Sequence, residues 1–383
     1  MHGAASRGLI NMDNRAELVG IQFLRGFCAL GVVVGHCAAM IADPKYGGLT
    51  LLGGALESGS SGVDIFFVIS GFIMSVVVLK GSDLRPRMTL SAYATRRFVR
   101  IVPMMWLAIL SYALLQRGFA RDAIDWAAYA RAAFLIPYSY VKPDIIWTLR
   151  QELIFYSLFA LSFFGPRASH WLLLAWVVSP IAYVAFLPSW GATTGYIDSP
   201  WSILFSSVNI EFGMGVGLGL FWNRMSPPSD WRLPVHPFIG IGVLLTAILA
   251  LYWCGGLISQ TLPSVIFLGL CGTGLVLVSA RSHCPQGWLT RLGGLLGDAS
   301  YSIYLFHLHV LAGLLALRAK FAILPNAPLA ILLAVLVATS LSILIHLLVE
   351  QPMTGWMRRA LARRAKASPT GSQEQGRTPD AAV

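Results

Sequence analysis

About ten apolar stretches of membrane-spanning length run through this chain, and several hold charges that hydrocarbon rejects. They cover roughly residues 18–41, 61–80, 98–116, 145–164, 168–188, 200–222, 236–254, 258–280, 298–319 and 328–350. Arg25 lies inside the first, Arg150 and Glu152 inside the fourth, and Glu211 inside the sixth. One charge at a bilayer centre costs roughly 2.5–3.5 kcal/mol on insertion scales, so four facing lipid would cost on the order of 10 kcal/mol. These side chains must therefore face one another, water or a polar ligand. The helices are expected to enclose a polar chamber.

The fold class this predicts is all-α: a polytopic helical membrane protein of about ten transmembrane helices. Only 12% of the 383 residues are charged, about half the share of a soluble domain, and no region is left for a sizeable soluble domain. The organisation reads as a polar N-terminal segment, 1–17, an integral-membrane domain, 18–356, and a tail, 357–383. Within the tail, residues 357–366 read as a short basic surface helix, and the Ser-, Pro- and Gly-rich remainder from 367 as disordered. With both termini cytoplasmic, inner segments hold 19 of the 28 Lys and Arg residues and outer loops hold seven; Arg25 and Arg150 complete the count. That asymmetry is the positive-inside pattern. The net charge of +11 then reads as topology signal and anionic-lipid contact, with no case for nucleic acid. Cys28, Cys37, Cys254, Cys271 and Cys284 are scattered and form neither a disulfide framework nor a metal-type pair, so no metal site is expected. No internal repeat is visible, which weighs against inverted-repeat transporters.

Several residues have the chemistry a polar chamber needs. Arg25 and His36 are eleven residues apart, about 20° beyond three full helical turns, so they share one face roughly 16 Å apart along the axis. Asp64 opens the second span on the side where His36 closes the first, so the two are expected to meet as a dyad in which the carboxylate orients the imidazole; a simple helix-dipole role for Asp64 competes with this. Arg96, Arg97 and Arg100 cluster at the start of the third span, a guanidinium set suited to phosphates. Arg150 and Glu152 are two residues apart, on nearly opposite helix faces, so each needs a partner from elsewhere; Tyr156 follows one turn after Glu152. Ser300, Tyr304 and His307 form one stripe at i, i+4, i+7, with Tyr301 and Asp298 beside it. Glu211 is expected in the chamber, and Gly213, Gly215, Gly217 and Gly219 below it read as close helix packing.

Together these segments resemble the membrane acyltransferase family 3. The matching text is Gln22-Phe23-Leu24-Arg25-Gly26 with His36, Gly62-Val63-Asp64 through Ser70-Gly71-Phe72, Arg96-Arg97-Phe98-Val99-Arg100, Trp147-Thr148-Leu149 with Glu152 and Tyr156, Ser300-Tyr301-Ser302-Ile303-Tyr304-Leu305-Phe306-His307, and Glu350-Gln351-Pro352. Met105 and His309 depart from the pattern. The resemblance implies an acyl-CoA donor, usually acetyl-CoA, as co-substrate without a permanently bound cofactor. It implies a glycan or lipid-linked glycan acceptor, and a multi-pass protein of the cell's inner membrane. Carried over by position, Arg25 and His36 match the critical Arg and His, and Arg96, Arg97 and Arg100 match the basic motif for CoA phosphates. The expected roles are base or acyl carrier for His36, orienter for Asp64, passage lining or thioester polarisation for Arg25, and chamber shaping for Glu152. Arg150, Tyr156, Glu211, Ser300, Tyr301, Tyr304 and His307 are expected to line the chamber. The competing reading is a secondary transporter or exporter of a small polar solute, since intramembrane Arg, Glu and His also suit proton coupling.

Overall fold

The computed structural model describes residues 12–80, 85–119, 124–186, 199–225, 241–242, 262–282, 284, 287–321 and 326–367. The expected seventh span, 236–254, falls almost wholly outside them, as do the tail beyond 367 and most of the N-terminal segment. The helices are α1 (Met12–Ala42), α2 (Gly62–Val78), α3 (Leu90–Phe119), α4 (Trp126–Ala133), α5 (Ile146–Phe159), α6 (Pro166–Phe186), α7 (Pro200–Leu204), α8 (Asn209–Met225), α9 (Leu262–Arg281), α10 (Trp288–Phe321), α11 (Ala327–Ile345) and α12 (Gln351–Ala367). Six helical segments among the described residues are long and apolar enough to cross a membrane, and α2 and the stretch His170–Phe186 are shorter apolar helices. This is a multi-pass helical membrane protein.

Local sequence accounts for several boundaries. Asp125 caps α4 by accepting from the Ala128 amide at 3.0 Å, and Asn326 caps α11 by accepting from Leu329 at 3.1 Å, with Pro328 in the first turn where its missing N–H costs nothing. The sixth expected span is broken at 205–208 into α7 and α8. Asn209 ties the break together, donating to the Leu204 carbonyl at 2.8 Å and accepting from Gln151 at 2.6 Å. The basic segment after the last span is no separate helix: α11 runs through a π turn, His346–Glu350, directly into α12.

α1 packs most extensively on α10, and α2 on α8. Glycine makes both approaches possible. A β-carbon at Gly297 would lie 2.2 Å from the Gln22 carbonyl oxygen, and one at Gly215 would lie 2.0 Å from that of Val68. Gly213, Gly215 and Gly219 of α8 thus serve close packing, as expected from their spacing, whereas a β-carbon at Gly217 would meet nothing within 4 Å. The crossing at Gly297 sits beside Arg25 and Ser300 and so sets the geometry of the site.

Candidate functional site

A narrow cavity of about 100 Å³ opens between α1, α2, α3, α5 and α10. Its polar lining comes from Arg25, Arg97, Arg100, Glu152, Tyr156, Ser70, Thr148, Ser300, Tyr301 and Tyr304, with Phe66 and Phe67 among its apolar walls. Eight of the residues expected at the site from the sequence are therefore brought to one place from four helices: Arg25, Arg97, Arg100, Glu152, Tyr156, Ser300, Tyr301 and Tyr304.

Each guanidinium is held without a carboxylate. Arg25 donates to Gln22 Oε1 and to Ser300 Oγ, both at 2.8 Å, and Gln22 in turn donates to Asp298 at 2.8 Å. Arg97 lies over the rings of Tyr156 and Tyr93, 4.8 and 5.8 Å from their centroids. Arg100 makes no hydrogen bond or ion pair among the described residues, and Tyr301, its neighbour in the lining, is anchored by donating to the Ile101 carbonyl at 2.8 Å. The one carboxylate in the lining, Glu152, accepts from Tyr156 on its own helix and from Ser70 of α2 at 3.2 Å. Three cations against one anion in the lining leave the slot with a positive excess that suits an anion.

Above this cavity stands a pair of imidazoles. His36 Nδ1 is 2.9 Å from His307 Nε2, and the rings are nearly parallel, 5.1 Å between centroids. His307 is fully buried, and its Nδ1 lies 3.0 Å from the Ile303 carbonyl oxygen. A carbonyl only accepts, so His307 Nδ1 carries the proton. With both rings neutral, His307 Nε2 accepts from His36 Nδ1–H, and His36 Nε2 is left with a free lone pair. Tyr304 separates the pair from the cavity. Its ring is 6.1 Å from that of His307, and its hydroxyl is fixed by Thr148 Oγ1 at 2.7 Å and the Ile145 carbonyl at 3.0 Å. The cavity lining ends at Tyr304 and does not include His36 or His307.

Five expectations are corrected by this geometry. His307, expected in the chamber lining, stands beyond Tyr304 and outside the cavity. The His36–Asp64 dyad does not form: His36 turns to α10, while Asp64 turns to Glu211 of α8, carboxyl to carboxyl, because the glycine-packed α2–α8 contact draws those two first turns together. Glu211 accordingly lies in that helix contact, against Gly269 of α9, and not in the cavity. Arg150 does not line the chamber. It donates to the Ile136 and Ser139 carbonyls at 3.1 and 2.9 Å and so pins the loop after α4. Arg96 is exposed and outside the lining, since the helical phase of α3 turns Arg97 and Arg100 inward together. Sequence reading missed Gln22 and Ser70. Both lay in the matched segments, and Gln22 at i−3 from Arg25 was a polar group on the same helix face.

A bundle of apolar helices around a buried, cation-rich slot, with a hydrogen-bonded imidazole pair at its closed end, defines a polytopic membrane protein equipped to bind an anion beside a basic nitrogen. The acyltransferase domain family matches residues 18–347, and the chain belongs to that family. It is 32% identical over 324 residues to the exopolysaccharide production protein ExoZ of Rhizobium meliloti, covering 82% of this chain and 94% of that protein. It is 26% identical over 346 residues to nodulation protein 10 of Rhizobium leguminosarum bv. viciae, covering 81% and 87%. It is 23% identical over 295 residues to peptidoglycan O-acetyltransferase OatA of Listeria monocytogenes, covering 66% of this chain and 44% of that longer protein. No solved structure matches the chain.

Proposed function

We propose that this chain is an O-acyltransferase of the inner membrane, moving an acyl group, most simply acetyl, from cytoplasmic acyl-CoA to a hydroxyl of an exported or surface glycan. The observation that carries the reading is the slot lined by Arg25, Arg97 and Arg100, three guanidiniums with no ion-pair partner among the described residues. Phosphates of CoA supply the missing charge and suit the planar guanidinium fork. The names of ExoZ and of OatA support a polysaccharide-type acceptor.

In this reading Arg97, Arg100 and Arg25, the last steadied by Gln22 and Ser300, hold the phosphates, and the pantetheine arm carries the thioester along α1 toward His36. Displacement of the Tyr304 ring joins the slot to the imidazoles. His36 Nε2 takes the proton of the acceptor hydroxyl as its oxygen attacks the thioester carbonyl. The C–S bond breaks, and the same proton passes to the departing thiolate. His307 is a positioning residue: by accepting from His36 Nδ1–H it keeps the lone pair on Nε2, the part first expected of Asp64. Glu152 with Tyr156 shapes the slot beside Arg97.

The test pairs binding with turnover in purified protein. Acetyl-CoA is expected to raise the melting temperature of wild type and of His36→Ala alike, and only wild type is expected to transfer acetyl groups to glycan. Full transfer by His36→Ala, or no stabilisation by acetyl-CoA alongside stabilisation by some other small solute, overturns the reading in favour of another chemistry or of transport.

A further inference from the structure

A second cavity lies behind the first, between α6, α8 and the 3-10 turn Ala160–Phe163 that ends α5. It has a volume of about 300 Å³ and almost entirely apolar walls, among them Leu173, Val177, Val216 and Leu220. It belongs to neither the arginine slot nor the imidazole pair. Two polar groups interrupt its lining, Ser162 and His170. Ser162 is 5% exposed, and among the described residues its hydroxyl has no hydrogen-bond partner; neither has the buried Nε2 of His170. A helical serine commonly bonds a carbonyl of the preceding turn, and a buried polar atom is rarely left unsatisfied. Two such atoms lining one apolar pocket call for a ligand that is mostly hydrocarbon and carries one hydrogen-bonding group. A bridging water fits beside them, but it needs two to four polar partners and leaves the rest of the volume empty.

The orientation of the cavity narrows the ligand. Ser162 and His170 flank the connection between α5 and α6, which the distribution of basic residues places at the cytoplasmic surface. Val177 lies seven residues further along α6, about 10 Å deeper. The polar end thus sits at the depth of inner-leaflet headgroups and the apolar end points toward the midplane. A glycerophospholipid has that profile, an ester carbonyl at the interface and an acyl chain below it.

We propose that this pocket is a binding site for one inner-leaflet glycerophospholipid, whose ester carbonyl accepts from Ser162 Oγ–H and His170 Nε2–H and whose acyl chain lies along α8. The site is linked to the arginine slot through a ring contact and a hydrogen bond. Phe159, in its wall, stacks on Tyr93 at 6.4 Å, and Tyr93 donates to the Tyr156 carbonyl at 3.0 Å. The proposal does not depend on the acyltransferase reading.

Gly217 supplies a clean test, because a β-carbon there meets nothing within 4 Å and a larger side chain enters the pocket without displacing backbone. Full-length protein in detergent is mixed with phosphatidylglycerol and examined by native mass spectrometry. Wild type is expected to keep one lipid adduct at collision energies that strip the others. Gly217→Leu is expected to lose it, and Ser162→Ala/His170→Leu to hold it at least tenfold more weakly, both melting within a few degrees of wild type. If either variant melts far below wild type, Gly217→Ala replaces it, with partial loss expected. Equal retention in all variants overturns the proposal. So does a retained mass matching a polyprenyl-linked glycan or an acyl-CoA, which assigns the pocket to acceptor or donor.

Discussion

The two ends of the α1–α10 contact are built on opposite plans. At Arg25 and Ser300 the contact opens into a slot whose three guanidiniums have no ion-pair partner among the described residues. At His36 and His307, seven residues beyond Ser300 on α10, the polar contacts among the described residues are internal: ring to ring, then ring to the Ile303 carbonyl. In the proposed reading the open end takes the anionic donor, while the closed end carries out the proton transfer. Binding and chemistry are therefore separable by mutation, which is the comparison to press.

The largest effect is expected at the closed end. His36→Ala removes the base and should lower acyl transfer about 10²–10⁴-fold, the usual worth of a general base, with acyl-CoA binding retained by calorimetry. An unchanged turnover number breaks the division of labour. Next comes the open end. Arg97→Ala and Arg100→Ala should each weaken acyl-CoA binding by roughly 10–150-fold, the equivalent of about 1.5–3 kcal/mol for a charged hydrogen bond, with turnover at saturation little altered. Arg96→Ala, outside the slot, should change the dissociation constant by less than about threefold; parity among the three would mean that α3 presents a diffuse basic surface. His307 gives a smaller and sharper signal. His307→Leu should cut turnover by about tenfold and shift the pH profile, and His307→Gln, whose carbonyl can still accept from His36 Nδ1–H, should recover much of both. The smallest effect is predicted for Asp64→Asn. Because Asp64 faces Glu211 and not His36, the pH profile of transfer should stay in place while thermal stability changes modestly, and a displaced profile would restore the dyad.

How much of this was legible in the sequence depended on range. Hydropathy announces the helices because each must cross hydrocarbon by itself, and the first span, 18–41, lies within two residues of the apolar stretch Val19–Ala42. The stripe Ser300, Tyr304, His307 was readable because all three sit on one helix, where spacing alone fixes the face. Contacts between distant segments were not. His36 and His307 are 271 residues apart, and nothing local says which histidine turns to which neighbour. Proximity in topology favoured Asp64 for His36, but glycine packing on α8 had the stronger claim on that carboxyl. Arg150 misled for a related reason: its guanidinium reaches the Ile136 and Ser139 carbonyls of a nearby loop, and nothing local says that its helix face turns away from the cavity. At Arg96, Arg97 and Arg100 the cluster was visible, but the choice of inward pair needed the rotation of α3 relative to its neighbours.

Arg25 and His36 belong to one uninterrupted helix, and that makes the gap between them a fixed gauge of about 16 Å along the axis. In the proposed reading a long donor such as acyl-CoA spans that gap, and acetyl phosphate or an acetyl thioester stripped of its nucleotide is expected to be a poor donor because it is too short to reach both residues.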